Sequence, residues 1–250
     1  LKMAVFIKLV IVRIALQAPY LLLLFLFGLL MMNILCYSPL VACFIFIAVS
    51  APILVISLFS HRIAKRLSIK YSLVVSGVFN LLAFVGLSLS GVHAPLWVMI
   101  IALASLGIAT GLNIPLTSVA LFNAVDKTNM GAASGLFSTL AYLACAIAVA
   151  LGGYGISIVS KHAMMHYFSI SNMLLSPGQH QQILSFADGT KRLSLLTQYF
   201  PAPTAALLKP VIANAFEQGY RLVMIIMSVL ALIGIVTSLM LSHNKIDAKP

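Results

Sequence analysis

Apolar residues along this chain come in long blocks rather than in alternation. Six blocks stand out, at 15–37, 39–60, 71–90, 95–122, 131–159 and 220–241. The hydrocarbon core of a bilayer is ~30 Å thick and an α-helix rises ~1.5 Å per residue, so about 20 largely apolar residues suffice to cross it. Every block reaches that length. The pattern therefore predicts an all-α integral membrane protein built as a six-transmembrane-helix bundle over residues 15–241. Upstream, residues 1–14 are apolar but punctuated by Lys2, Lys8 and Arg13, which predicts an interfacial helix or a linker. Residues 160–219 form one long, more polar stretch with turn chemistry at Ser176-Pro177-Gly178, Asp188-Gly189 and Pro201-Ala202-Pro203. Its amphipathic pieces at 191–199 and 204–216 are expected to lie on the membrane face. Residues 242–250 read as a short polar tail.

Composition agrees with the pattern. Hydrophobic residues make up 62% of the chain and charged residues only 8%, whereas soluble domains carry about 25% charged residues. Such a chain cannot cover a folded surface with polar groups, and the lipid bilayer is its expected environment. The excess of 15 Lys+Arg over 4 Asp+Glu does not point to nucleic acid, because the basic residues are scattered between apolar blocks. They report topology instead. The segment 61–70 holds Arg62, Lys65, Arg66 and Lys70 with no acid, which places it in the cytoplasm. Lys2, Lys8, Arg13, Lys127, Lys245 and Lys249 then fall on the same side, and Lys161, Lys191, Arg192, Lys209 and Arg221 on the other. A multi-pass protein of the cell inner membrane with both ends cytoplasmic is the expected arrangement. Cys36, Cys43 and Cys145 all sit in or beside apolar blocks and read as small hydrophobes rather than a disulfide or metal framework.

Within the blocks, chemistry is sparse. Gly107 and Gly111 form one G-x-x-x-G pair and Gly131 and Gly135 another, spacing that lets a neighbouring helix backbone approach closely. Gln17, Asn33, Ser57, Asn80 and Asn113 are polar groups at depth. Asn113 is followed by Pro115, which removes a backbone donor and marks a place where a helix can kink beside a cavity. An interhelical hydrogen bond is the alternative role for that amide. No carboxylate falls in mid-block, since Asp126 and Glu217 lie at block ends. Two enzyme-like or metal-like patterns fail on inspection. Ser134 has no histidine within any block to act as its base. His162 and His166 are spaced i, i+4 but have no Cys, Asp or Glu nearby to complete a zinc site. Neither enzymatic activity nor a cofactor or metal is expected.

The order of these features is similar to a known pattern. Tyr37-Ser38-Pro39-Leu40-Val41-Ala42 followed by an apolar helix and a basic segment, the run from Gly107 to Thr117 ending around Pro115, and Asp126-Lys127-Thr128-Asn129-Met130 leading into Gly131-Ala132-Ala133-Ser134-Gly135 resemble the C-terminal half of major facilitator superfamily exporters. The subgroup is the fourteen-span drug:proton antiporters of the EmrB/QacA type. Ala215-Phe216 and Gly219-Tyr220 fit the approach to its last helix. The resemblance implies the C-terminal half of a proton-coupled multidrug exporter, with Asn33, Asn113 and Pro115 as substrate-cavity candidates. It implies a lipophilic small-molecule substrate and a partner N-terminal half, in the same or a separate chain, that supplies the proton-coupling acids. The basic segment corresponds to a cytoplasmic gating loop carried here by Arg62, Lys65, Arg66 and Lys70. It departs from the family pattern: His61 and Ser68 stand at its two glycines and Lys65 at its aspartate. Starting at Leu1, the chain is expected to be part of a longer polypeptide. A transport-inactive remnant, or a membrane interaction partner, is the competing expectation.

Overall fold

A computed structural model describes residues 3–90, 94–171 and 177–241, and every regular element among them is helical. Five helices are long and apolar enough to cross a membrane: Ala4–Ile34, Pro39–Leu89, Leu96–Ala124, Met130–Ser169 and Ala202–Leu239. Their boundaries differ from the block reading in four instructive ways. Lys2 and the tail 242–250, with Lys245 and Lys249, lie outside the described residues.

First, α1 runs without a break from Met3 to Leu29, so residues 3–14 are not a separate surface piece. Val5, Leu9, Val12 and Leu16 recur at helical spacing and all are buried, which outweighs the interruptions by Lys8 and Arg13. Lys8 Nζ donates to the Met240 carbonyl at 3.0 Å, satisfying a carbonyl at the end of another helix. At its other end α1 widens into a π-helical turn over Leu30–Ile34, and Cys36 takes a positive φ of 55°.

Second, the basic segment 61–70 is helical rather than a loop. Helix α2 spans Pro39–Ser90, and the helix is broken inside that span at Ser68 (φ 68°, ψ 157°). A straight 52-residue helix would measure about 78 Å, more than twice the bilayer core. The packing shows that it folds back. Gly107 and Gly111 of α3 (Leu96–Ala124) meet Val49 and Ile53 of the first arm in rising order. The second arm runs the other way along α3: Ile69 and Leu73 cluster with Leu112 and Leu116, while Phe84 and Leu87 cluster with Met99 and Leu103.

Third, α4 extends from Met130 to Ser171 and α7 from Ala202 to Leu239, so much of the expected outer loop is helix. Pro203 sits in the first turn of α7, where a missing N–H has no helical partner to lose.

Fourth, the amphipathic pieces pack against other helices, and 204–216 is the start of α7. Helix α5 (Pro177–Ala187) and the short α6 (Leu196–Tyr199) pack with the extension of α4 and the start of α7. Met164, Phe168, Ile183, Phe186, Leu196 and Leu208 are the centre of this separate apolar cluster, a cap beyond the main bundle. The Asp188-Gly189 turn is present as expected, with Gly189 at φ +76° and its Cα against the Phe216 ring. Lys161 pairs with Asp188 at 3.3 Å and ties the cap to α4.

The remaining contacts set the bundle. Helix α1 packs on α4, where Gly152 faces Leu22, and on α7, where Gly234 faces Leu16. The second arm of α2 meets α7 at Gly77 and Ile235, and α4 meets α7 at Ile156 and Gly219. Large apolar side chains left outside, such as Phe44, Leu54, Leu58, Leu143, Leu151, Tyr154, Leu222 and Ile225, are most frequent on the first arm of α2, on α4 and on α7.

Candidate functional site

The polar side chains of the bundle are gathered between α1, α3 and the second arm of α2. Asn80 Nδ2 donates to the Leu16 carbonyl at 2.9 Å, joining α2 to α1. One turn earlier, Ser76 Oγ donates to the Ala109 carbonyl at 2.8 Å, joining α2 to α3. Arg13 Nη1 closes the triangle, donating to the Ile114 carbonyl at 2.7 Å and to Thr117 Oγ1 at 2.8 Å. Because α1 and α3 run in opposite directions, Gln17, one turn beyond Arg13, comes level with Thr110 and Asn113.

This seam is only partly satisfied. Asn113 is fully enclosed, and neither its Oδ1 nor its Nδ2 has a partner. Gln17 Oε1, Asn80 Oδ1, Thr110 Oγ1 and Arg13 Nε are in the same condition. Buried polar atoms are ordinarily hydrogen-bonded, and each orphan costs about 1–3 kcal/mol. Five such residues on three adjoining helices form a concentration that packing alone does not require.

Arg13 is the residue that the block reading placed at the edge. Its side chain is only 8% exposed. It lies about 14 Å along α1 from Ala4 by helical rise, level with Thr117 and some seven residues inside the end of α3. The Phe137 ring of α4 covers it at 5.7 Å. The ionisable groups that act on it are Tyr142 and Cys145 rather than a carboxylate: Asp188 pairs with Lys161, Glu217 with Arg221 at 3.1 Å, and Asp126 is exposed in the turn after α3. Charge counting between blocks could not find this residue, because topology rules use only side and not depth. The i, i+4 spacing of Arg13 and Gln17 within an apolar run was the available signal.

The other candidates separate. Asn113 and Pro115 belong to the seam or border it, and Pro115 sits inside a continuous helix. Proline leaves Gly111 without the usual N–H partner, while Thr117 and Ser118 turn their hydroxyls back to the Asn113 and Ile114 carbonyls at 2.6 and 3.0 Å. Asn33 is elsewhere. It lies in the π-helical turn and donates Nδ2 to the Gly189 carbonyl at 2.7 Å, so its amide holds the cap to the end of α1. Arg192 reinforces that junction through Nη2 to the Cys36 and Tyr37 carbonyls at 3.1 and 2.9 Å.

Gly107 and Gly111 pack closely, against Val49 and Pro52 and against Ile53 and Ile56 of α2. Gly131 and Gly135 do not, since nothing lies within 4 Å of where a Cβ would stand. Arg62, Lys65 and Arg66 are exposed on the last turns of the first arm, and Lys70 opens the second. Arg62 lies 5.5 Å over the Phe59 ring. Ser134 and Ser138 share the open side of α4 with Gly131 and Gly135, and Ser134 only bonds back to the Gly131 carbonyl at 3.0 Å. Among the described residues no three metal-ligating side chains converge. No family model matches the chain, and no curated protein matches it.

Proposed function

We propose that the chain is one six-crossing bundle of a two-bundle membrane transporter, the C-terminal half of a proton-driven small-molecule exporter of the major facilitator type. Each arm of α2 crosses once in this reading, and α1, α3, α4 and α7 supply the other four crossings. The observation that carries it is the exchange of partners between two triplets. Helix α1 and the two arms of α2 form one triplet; α3, α4 and α7 form the other, running in the opposite sense. The first helix of each packs on the second of the other: α1 on α4, and α3 on the first arm of α2. The third members, the second arm of α2 and α7, pack on each other. An inverted three-plus-three repeat of this kind is the architecture of half a major facilitator transporter, and rocking of two such halves gives alternating access.

Two further features support the reading. Ser68 occupies a region of φ/ψ that glycine tolerates and other residues reach only with strain, and it stands where the resembling pattern has glycine. The open small-residue side of α4 around Gly131 and Gly135 suits close approach of another helix better than it suits lipid. Transport then requires a second bundle that contributes the acids.

Co-expression with an N-terminal half carrying membrane-embedded carboxylates tests this. Efflux of lipophilic compounds driven by an imposed pH gradient is expected from the pair and from neither part alone. A pair that assembles but exports nothing across a broad panel sinks the transporter reading in favour of a transport-inactive membrane protein.

A further inference from the structure

We infer that Arg13 is a binding site for the carboxylate of a small organic anion, which makes weak acids rather than lipophilic cations the substrate class. This rests on the transporter reading for its role, but not for the binding itself.

Only one edge of the guanidinium is in use. Nη1 is spent on the Ile114 carbonyl and Thr117 Oγ1. Nε is enclosed and without a partner, and no hydrogen bond joins Nη2 to the described residues. Nε–H and Nη2–H point the same way from the planar group, and together they form the side-on fork that matches the two oxygens of a carboxylate. The protein has thus fixed the guanidinium plane with one edge and left the bidentate edge unspent.

Electrostatics gives the fork its sign. Arginine remains protonated in proteins, and a lone cation at this depth is costly unless it is compensated. The compensation present is a carbonyl, a hydroxyl and an aromatic face, with no full negative charge. The titratable neighbours from the packed elements are Tyr142 and Cys145 of α4, and neither is a carboxylate. One turn further along the same seam stand more unpartnered groups that can hold the polar part of a ligand: Gln17, Thr110 and Asn113, with Asn113 Nδ2 a second donor. A positively charged substrate meets repulsion here, whereas an anion gains a charge-assisted pair of hydrogen bonds.

The test uses the whole chain in nanodiscs of zwitterionic lipid, in low-chloride buffer, with three probes of like shape and different charge: benzoate, benzamide and benzyltrimethylammonium. Thermal unfolding is followed against probe concentration. Benzoate is expected to raise Tm saturably, by roughly 3–6 °C at ten times its half-saturating concentration, and the other two are expected to leave Tm unchanged. In Arg13→Gln, which keeps a donor for the Ile114 carbonyl, the benzoate response is expected to vanish. Asn113→Leu, which removes only unpartnered polar atoms, gives a second reading, with a several-fold weaker half-saturation expected. A rise that all three probes share, no saturable rise with benzoate, or a rise that survives intact in Arg13→Gln overturns the assignment. Saturable benzoate binding in a chain that never supports efflux leaves the site standing and removes the transporter. Efflux of cations without benzoate binding does the reverse.

Discussion

Replacing Gly107 by alanine tests a close backbone contact between α3 and the first arm of α2. A Cβ built there runs into the Val49 carbonyl oxygen, and it stands 3.0 Å from Pro52 Cβ and 3.2 Å from the Val49 carbonyl carbon. Carbon atoms in good contact sit ~3.5–4.0 Å apart, so α3 and the first arm of α2 must separate locally by roughly half an ångström or more, and a gap of that size forfeits a quarter to a half of each dispersion contact. Backbone atoms form the obstruction, so no rotamer change relieves it. Overpacking of this kind costs about 1–3 kcal/mol, and alanine returns up to about 1 kcal/mol of helix propensity. The net expectation is about 1–2 kcal/mol lost, read as a fall in Tm of roughly 2–8 °C. Gly135→Ala is the matched control: the same change in the same motif, on a helix side with nothing within 4 Å. It should melt with wild type or slightly above it. Fluorescence-detected size exclusion of heated fusion proteins in mild detergent ranks all three. If Gly107→Ala melts at or above wild type while Gly135→Ala melts below it, the assignment of the two glycine pairs to packed and open sides would be refuted.

Other consequences are open to measurement. Ser68→Gly relieves a residue held at φ 68° and should raise Tm by a few degrees, corresponding to about 1–2 kcal/mol, whereas Ser68→Val should lower it; identical melting of the two excludes strain at this turn. Arg192→Ala removes the donor to the Cys36 and Tyr37 carbonyls, so hydrogen exchange in 177–199 should accelerate several-fold while the core of α3 is unchanged. Unchanged exchange in the cap counts against the clamp. Single cysteines introduced at the exposed positions Arg62 and Gln198, in a background with Cys36, Cys43 and Cys145 replaced by alanine, should label with an impermeant maleimide from opposite sides of oriented vesicles. Labelling from one side refutes the topology.

The membrane character of the chain was legible because it rests on block length alone, a property of composition that tertiary contacts do not alter. The close packing of the Gly107–Gly111 pair and the burial of Asn113 were legible for a similar reason: small residues and lone amides in an apolar helix have few alternatives. What was not legible depended on neighbours distant in sequence. Two G-x-x-x-G pairs look alike on paper, yet one meets the α2 backbone and the other meets nothing. Asn33 resembled a cavity residue until Gly189, far along the chain, came within hydrogen-bonding distance. Residues 61–70 carry the charges of a loop but have the helix propensity of Ala64, Lys65, Arg66 and Leu67, so the turn shrinks to Ser68. Arg13 was counted for its side of the membrane, and only the packing of Phe137 and Thr117 reveals its burial.

The cap has a mechanical consequence. Through Asn33 and Arg192 it is riveted to the end of α1, through Lys161 to α4, and by continuous chain to α7. Those three helix ends are therefore tied together at that surface, and parting them means breaking part-buried hydrogen bonds and an ion pair. Between the corresponding ends of α2 and α3 runs an apolar groove, past Val41, Phe44, Leu96 and Ile100. Any widening at the capped face is thus channelled to one edge, with α2 and α3 as the compliant side and the cap as the stiff lever against which they swing.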